Sequence, residues 1–380
     1  MRVAFNATPL LTTLTGIGQY TLQLAHALAA RPDIDPDFFY SVRWDKRVLT
    51  DFMPPVAGRL APYVRRIPGA YRLRRFVQQM NFRSHAMHCE IYHEPNFLPL
   101  PIDRPTVITV HDLSFIRYRE MHPKERIEAM DTYFEPGLKR AQRILTDSEF
   151  TRRELLELFG DIDPAIVQTV PLGVEALFHP RGVDETRETL ARHGLAHGQY
   201  LLAVGTLEPR KNLKTALQAY SRLPAELRRR FPLVIAGMKG WHTSALELQM
   251  QPLIDAGEIR LLGYVSRDDL AIVVAGARLL VYPSVYEGFG LPPLEAMACG
   301  VPTIVANVSS LPEVVGDTGL TIDDPHDVEA LTLALERLAS DDALHAELGA
   351  QALARSAEFT WERCVDRTVE AYRDVLRASR

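Results

Sequence analysis

Residues 286–300 read YEGFGLPPLEAMACG, from Tyr286 to Gly300, and this stretch decides how the second half of the chain folds. An apolar run at 277–283 precedes it and another at 301–305 follows it. Both have the length and composition of buried strands. Between them, Gly288 and Gly290 let the backbone approach a ligand closely, and Pro292 and Pro293 suit the first turn of a helix. The unit is therefore strand, glycine loop, helix, strand. The helix start near Leu291 offers unpaired N–H donors and a positive dipole end to an anion. Glu287 stands before the loop and Glu295 about one turn inside the helix, with seven residues between them. In isolation two such acids would only stabilise a turn and a helix dipole. Inside a Gly/Pro loop that presents donors to an anion, they read as ligand contacts.

Working outward, the same rhythm recurs. Strands are expected at 200–205, 232–237 and 258–262, with helices starting near Lys211, Thr243, Ser266, Gly290 and Asp327. The last of these places Val328, Leu331, Leu335 and Leu338 on one face. In the first half, strands are expected at 2–6, 38–42, 91–93, 106–110, 143–146 and 166–170. Helices are expected at 124–141 and 148–159, and another carries Ile17, Tyr20, Leu24 and Leu28. Strands alternating with helices imply parallel sheets covered on both faces. The expectation is α/β, with one Rossmann-like architecture used twice and two domains facing across a cleft into which the carboxyl ends of both sheets open. Two prolines and a glycine in 171–180 (PLGVEALFHP) mark the linker. The domains are then 1–172 and 181–359, with the helical stretch 360–380 crossing back to the first.

The chain has 380 residues, room for two domains of ordinary size. With 47% apolar and 24% charged residues it is globular, and a net charge of −5 argues against a nucleic-acid-coating protein. Cys89, Cys299 and Cys364 are odd in number and far apart, so neither a disulfide framework nor a cysteine-ligated zinc is expected. No apolar stretch nears the ~20 residues needed to span a bilayer. The Met1 end goes straight into a strand-like run rather than a secretory leader, so a cytoplasmic protein is expected.

Three further stretches carry chemistry. Residues 205–212 (GTLEPRKN) follow a strand, and Arg210 with Lys211 set a planar fork beside a compact charge, suited to a diphosphate. Residues 15–20 (TGIGQY) form a glycine loop with Gly16 and Gly18. It is not the dinucleotide fingerprint, because Thr21 stands at the third glycine position, and NAD chemistry is disfavoured. Residues 107–112 (VITVHD) end a strand at His111, able to hydrogen-bond a hydroxyl or carry a proton; His93, Glu94 and Asn96 end another. Between Asp51 and Glu90 there is no acidic residue. Arg59, Arg65, Arg66, Arg72, Arg74, Arg75 and Arg83 are interleaved there with Tyr63, Tyr71 and Phe76. Such a segment suits an anionic lipid surface or a pyrophosphate-bearing acceptor, a peripheral association with the inner face of the cytoplasmic membrane.

Together these residues resemble the retaining glycosyltransferases of the GT-B fold known as family 4, and within them the mannosyltransferase branch of bacterial surface-polysaccharide assembly. The resemblance runs nearly end to end, through TPLLTTLTGIGQY (8–20), TVITVHDLSF (106–115), GTLEPRKN (205–212), YPSVYEGFGLPPLEAMACGVPTI (282–304) and SSLPEVVGD (309–317). It implies transfer of a hexosyl group, mannose from GDP-mannose, to a saccharide or lipid-linked saccharide in lipopolysaccharide O-antigen synthesis, with retention and with neither metal nor cofactor. It implies that Arg210 and Lys211 neutralise the donor diphosphate and that Glu295 holds the ribose hydroxyls. Glu287 and His111 would meet the transferred sugar, and the amides of Phe289, Gly290 and Leu291 would support sugar and phosphate. Gly16 and Gly18, with Gly205, would lie close to the phosphates, and Tyr264 and Val265 beside the base. No residue stands out as a general base. Rival readings are a transferase using a UDP- or dTDP-sugar, a nucleotide-sugar 2-epimerase, and a non-catalytic sugar-nucleotide sensor. Asp33 with Asp35 and Asp161 with Asp163 spell the letters of a metal-binding D-x-D, but in polar turns without supporting ligands.

Overall fold

The computed structural model describes residues 1–12, 14–50, 70–238, 240 and 244–379, and only the backbone of 70–74, 244 and 245. The chain divides into two compact units, Met1–Leu172 with Trp361–Arg380, and Gly173–Thr360.

The first unit is built on β1 (Arg2–Asn6), β2 (Asp35–Tyr40), β3 (Arg43–Asp45), β4 (Ile91–Glu94), β5 (Thr106–Val110), β6 (Arg143–Thr146) and β7 (Val167–Thr169). They lie in the order β3-β2-β1-β4-β5-β6-β7, parallel throughout except for β3. Its helices include α1 (Gly16–Ala30), α2 (Ala70–Ala86), α3 (Lys124–Leu138) and α4 (Glu149–Leu158). Tyr20, Leu24 and Leu28 of α1 are buried, as the helical spacing requires. All five residues of β5 are buried, the mark of a central parallel strand covered on both faces.

The second unit carries β8 (Leu201–Val204), β9 (Leu233–Ala236), β10 (Ile259–Gly263), β11 (Leu279–Tyr282), β12 (Thr303–Ala306) and β13 (Leu320–Ile322). They form an all-parallel sheet in the order β10-β9-β8-β11-β12-β13. Helices α5 (Val183–Arg192), α6 (Leu213–Arg222), α7 (Ser244–Asp255), α8 (Arg267–Ala275), α9 (Leu291–Ala298), α10 (Val328–Ser340) and α11 (Asp342–Ser356) belong to it. Ser266 and Asp327 cap α8 and α10, accepting from Asp269 N at 3.2 Å and Ala330 N at 2.9 Å. The closing helix α12 (Trp361–Ala378) belongs to the first unit. There the Tyr372 hydroxyl lies 2.6 Å from His93 Nδ1, and burial pushes His93 down to about 3, so the ring is neutral.

Four expectations are corrected. The second strand spans Asp35–Tyr40 rather than 38–42. Ser41 takes a left-handed conformation (φ 66°) that turns the chain back into antiparallel β3, and Asp35, expected in a polar turn with Asp33, pairs with β1. Gly16 and Gly18 are not a loop but the first turn of α1; a Cβ on Gly18 would stand 3.0 Å from Leu14 Cδ2. The helix expected near Lys211 begins at Leu213, because Asn212 adopts φ 52° and separates α6 from a 3-10 turn, Pro209–Lys211. The strand expected at 166–170 is shorter, since a 3-10 turn, Pro164–Ile166, precedes it.

Close backbone approach fixes several glycines, Gly237 most tightly. A Cβ at Gly237, after β9, would sit 1.8 Å from the Gly205 carbonyl oxygen. Gly237→Ala should therefore lower stability by roughly 3 kcal/mol or more, the severe end of single substitutions. Gly160→Ala, with open space around it, should stay within about 0.5 kcal/mol. Chemical denaturation of both variants reads the difference.

Candidate functional site: a buried carboxylate between two cations

In the second sheet, strand order reverses between β8 and β11. Open parallel sheets leave a crevice at the carboxyl ends of strands on either side of such a reversal. The turn Pro209–Lys211 follows β8, and the loop carrying Glu287 follows β11, so sequence-distant residues meet there. Lys211 Nζ donates to Glu287 Oε1 at 2.7 Å and to the Tyr282 hydroxyl at 2.5 Å. Arg210 Nη1 donates to Glu287 Oε2 at 3.1 Å and to the Tyr286 carbonyl at 2.8 Å. The Tyr282 hydroxyl donates to Glu287 Oε1 at 3.0 Å. The second arm of Arg210 reaches Glu208 at 2.8 Å.

Glu287 is 6% exposed. Burial alone would raise its pKa, but Lys211 and Arg210 outweigh that and hold it below the ordinary carboxylate value. Burial also raises the Tyr282 phenol well above its usual range, so it stays a donor. The Lys211 stem lies along Gly205, whose φ of 140° and missing side chain make room; a Cβ there would lie 3.4 Å from Lys211 Cε.

The loop after Glu287 is equally fixed. Ser309 Oγ accepts from Glu287 N at 2.9 Å, and Ser310 Oγ donates to the carbonyls of Glu287 and Phe289 at 2.9 and 2.7 Å. Gly290 caps α9 at φ 119°, a conformation that favours glycine, so the first-turn amides of α9 follow directly. Asn212 Nδ2 donates to the Pro283 and Pro325 carbonyls at 3.1 and 2.6 Å, locking the turn that carries the two cations.

Glu295 is 3% exposed on α9, and its Oε1 accepts from Arg267 Nη2 at 2.7 Å. The same guanidinium reaches Glu175 at 2.5 Å. Burial and Glu175 push Glu295 up against the pull of Arg267, while the two carboxylates keep Arg267 charged despite its burial. Tyr264 and Val265 follow β10, Tyr264 63% exposed and Val265 half-buried.

His111 belongs to the first unit. Its Nδ1 lies 2.8 Å from Asp147 Oδ2 and its Nε2 2.7 Å from the Pro95 carbonyl, so both nitrogens are engaged. Burial opposes the charged ring, but Asp147 prevails and the pKa is raised, as expected when both nitrogens donate to oxygens. Of the basic segment 59–83, Arg59, Arg65 and Arg66 lie outside the described residues, as do the side chains of Arg72 and Arg74. Arg75 and Arg83 stand on α2, which also exposes Phe76, Val77 and Met80. Among the described residues, no helix is long and apolar enough to cross a membrane, and no group of three His, Cys, Asp or Glu is placed to hold a metal ion.

Sequence reasoning missed Tyr282, Asn212, Arg267, Glu175 and Asp147. Tyr282 closes a strand next to the quoted loop and carried a usable signal. The other four are ordinary polar residues until the fold pairs them.

Two cations on the turn after β8 thus share one buried carboxylate at the switch point of an α/β unit. The chain belongs to the family 4 glycosyltransferases and is a transferase of GT-B fold. The family model "Glycosyltransferase Family 4" matches residues 14–176, and "Glycosyl transferases group 1" matches residues 187–355. The chain is 40% identical to the O-antigen chain mannosyltransferase B of Escherichia coli, over 98% of this chain and 100% of that one. It is 32% identical to the serotype-specific mannosyltransferase WbdA of Escherichia coli over 72% of its length, spanning about a third (34%) of that longer protein. The solved structure of WaaG, a glycosyltransferase involved in lipopolysaccharide biosynthesis, shares the fold at a TM-score of 0.74 and 15% identity, covering 97% of this chain and 98% of that one.

Breaking a buried ion pair by removing one charge costs about 3–5 kcal/mol. Glu287→Gln should lower stability by that order at neutral pH. Because the folded pKa is depressed, this stabilisation is present above the unfolded value of 4.5 and is lost as pH falls through the folded one. Denaturation curves of the two proteins should converge in acid; a constant gap down to the acid limit would show that the charge is not what stabilises.

Proposed function

We propose that this transferase moves mannose from GDP-mannose, with retention and without a metal ion, to a saccharide or lipid-linked saccharide acceptor in O-antigen assembly. The observation that carries the reading is the pair of cations held on Glu287 beside the start of α9. Cleaving the glycosyl–phosphate bond leaves negative charge on the departing diphosphate. Arg210, Lys211 and the first-turn amides of α9, already oriented, stabilise that charge more than they stabilise the bound donor. Supporting mannose and O-antigen are the name and full-length match of the Escherichia coli relative.

In this reading Gly173–Thr360 is the donor side and Met1–Leu172 the acceptor side. Phe289, Gly290 and Leu291 present backbone donors to sugar and phosphate. Glu295, held by Arg267, receives the ribose hydroxyls, and exposed Tyr264 with Val265 borders the base. Gly16 and Gly18 open α1, whose unpaired amides give the first unit its own donors for the phosphates. His111 meets the sugar only by exchanging its contact with Asp147 or Pro95. The acceptor attacks from the face that the diphosphate leaves, so its proton passes to a diphosphate oxygen and no protein base is needed. Arg83 and the exposed Phe76, Val77 and Met80 of α2 suit the headgroup region of an anionic membrane on the cytoplasmic side, while Arg75 is turned to the Pro99 carbonyl.

Two measurements test this. A ligand at ~100 times its Kd adds about 2.7 kcal/mol of stability. GDP and GDP-mannose should raise the melting temperature without added metal, whereas UDP, dTDP, ADP and NAD should not; a response to UDP alone would discard GDP-mannose. Lys211→Ala should reduce turnover by roughly 10²–10³. Turnover close to wild type would remove Lys211 from the chemistry.

A further inference from the structure

The first sheet also reverses strand order, between β1 and β4, and a pocket of about 390 Å³ opens at the carboxyl ends of those two strands. That volume falls within the roughly 300–1,000 Å³ range of small-molecule sites. Asn6 ends β1 and Glu94 ends β4, and both line the pocket with Thr8, Arg75, Gln78 and Asn96. Gly18, assigned above to the donor phosphates, also lines it, but the polar side chains at these strand ends have no part in the donor reading.

Its polar groups are built rather than scattered. Glu94 is 2% exposed. Its Oε2 accepts from Asn6 Nδ2 and from the Tyr92 hydroxyl, both at 2.6 Å, and its Oε1 accepts from Asn96 N at 3.1 Å. A carboxylate offers about four acceptor directions, so three donors leave capacity for a ligand. Asn6 Oδ1 accepts from Thr8 N at 3.1 Å, and Gln78 Nε2 donates to Ser41 Oγ at 2.6 Å. Arg75 is directed elsewhere: its Nη2 donates to the Pro99 carbonyl at 2.8 Å and its guanidinium stacks 4.2 Å from the Tyr133 ring centre. Ser41 (φ 66°), which accepts from Gln78, and Phe97 (φ 61°), between Asn96 and Leu98 of the lining, hold left-handed conformations next in line to lining residues. Phe97 is locked there by contacts with the rings of His111, Phe115 and Phe134.

Resting on the reading of this unit as the acceptor side, we propose that the pocket receives an uncharged, hydroxyl-rich sugar ring of the acceptor and that Glu94 selects it, accepting from sugar hydroxyls and repelling phosphorylated sugars. Amides and hydroxyls on Asn6, Asn96, Gln78 and Thr8 match ring hydroxyls in both donor and acceptor roles. A buried carboxylate facing a phosphate would leave two like charges in low dielectric, whereas facing a hydroxyl it makes a charge-assisted hydrogen bond. Burial raises Glu94 to about 7, with Asn6, Tyr92, Arg75 and the Asn96 amide pulling the other way. Sugar affinity should therefore rise as pH passes through that value and the acceptor-only carboxylate forms.

The test uses the full chain without nucleotide, titrated by ligand-observed NMR with methyl α-mannoside and methyl N-acetyl-α-glucosaminide, and with the 6-phosphates of mannose and N-acetylglucosamine. At least one neutral glycoside should bind about tenfold tighter than its phosphate. Glu94→Gln should weaken that glycoside about tenfold or more, the loss of one charged hydrogen bond, narrow the gap and abolish the pH dependence. Asn96→Ala should weaken it as well. Equal or tighter binding of a phosphate, unchanged binding by Glu94→Gln, or no neutral glycoside binding would overturn the proposal. GDP-mannose is titrated separately with the same proteins. Its failure to bind would count against the donor reading and leave the pocket result standing.

Discussion

The second unit depends on one buried carboxylate. Glu287 cannot be charged at that depth without counter-charges, and Lys211 and Arg210 cannot be packed together without an anion between them. Each makes the other tenable. The pairing ties the turn after β8 to the loop after β11, and every nearby device serves it. Gly205 clears the lysine stem, Asn212 pins the turn, Ser309 and Ser310 fix the loop, and Gly290 aims α9. The arrangement keeps two cations oriented before any ligand arrives. A diphosphate would then share cations that Glu287 already positions, with little reorganisation left for the transition state.

The two units solve the same problem differently at the same place. Both sheets reverse order once, between β1 and β4 and between β8 and β11, and both put polar side chains at those carboxyl ends. In the second unit the crevice holds two cations around an acid, chemistry for an anion. In the first it holds a carboxyl group among amides and hydroxyls, chemistry for hydroxyls. A transferase needs a donor that leaves as an anion and an acceptor that attacks through a hydroxyl, and under the two proposals above the crevices would divide those tasks.

Much of the fold was legible because parallel strands and amphipathic helices leave periodic traces. The runs at 2–6, 106–110 and 143–146 appear as β1, β5 and β6, and the helix starts expected near Ser266 and Asp327 fall where those residues cap α8 and α10. The three-residue strands β3 and β13 are too short to carry a period. Asp35, read with Asp33 as part of a polar turn, is instead paired with β1. The types of residue in the cation cluster were legible from their loops, but the direct grip of Glu287 on Lys211 was not. Nor was the Glu175–Arg267–Glu295 chain, whose members lie 92 and 28 residues apart. Such contacts exist only once the sheet brings strand ends together. Glu94, between a histidine and a proline, gave no sign of how deeply it would be buried.

The central claim is that the cluster around Glu287 is a diphosphate site, and a crystal structure of the chain with GDP tests it most directly. The account predicts both phosphates within hydrogen-bonding reach of Arg210, Lys211 and the first-turn amides of α9, with the ribose toward Glu295. Phosphates bound elsewhere, with Arg210 and Lys211 still paired only to Glu287 and its neighbours, would contradict it.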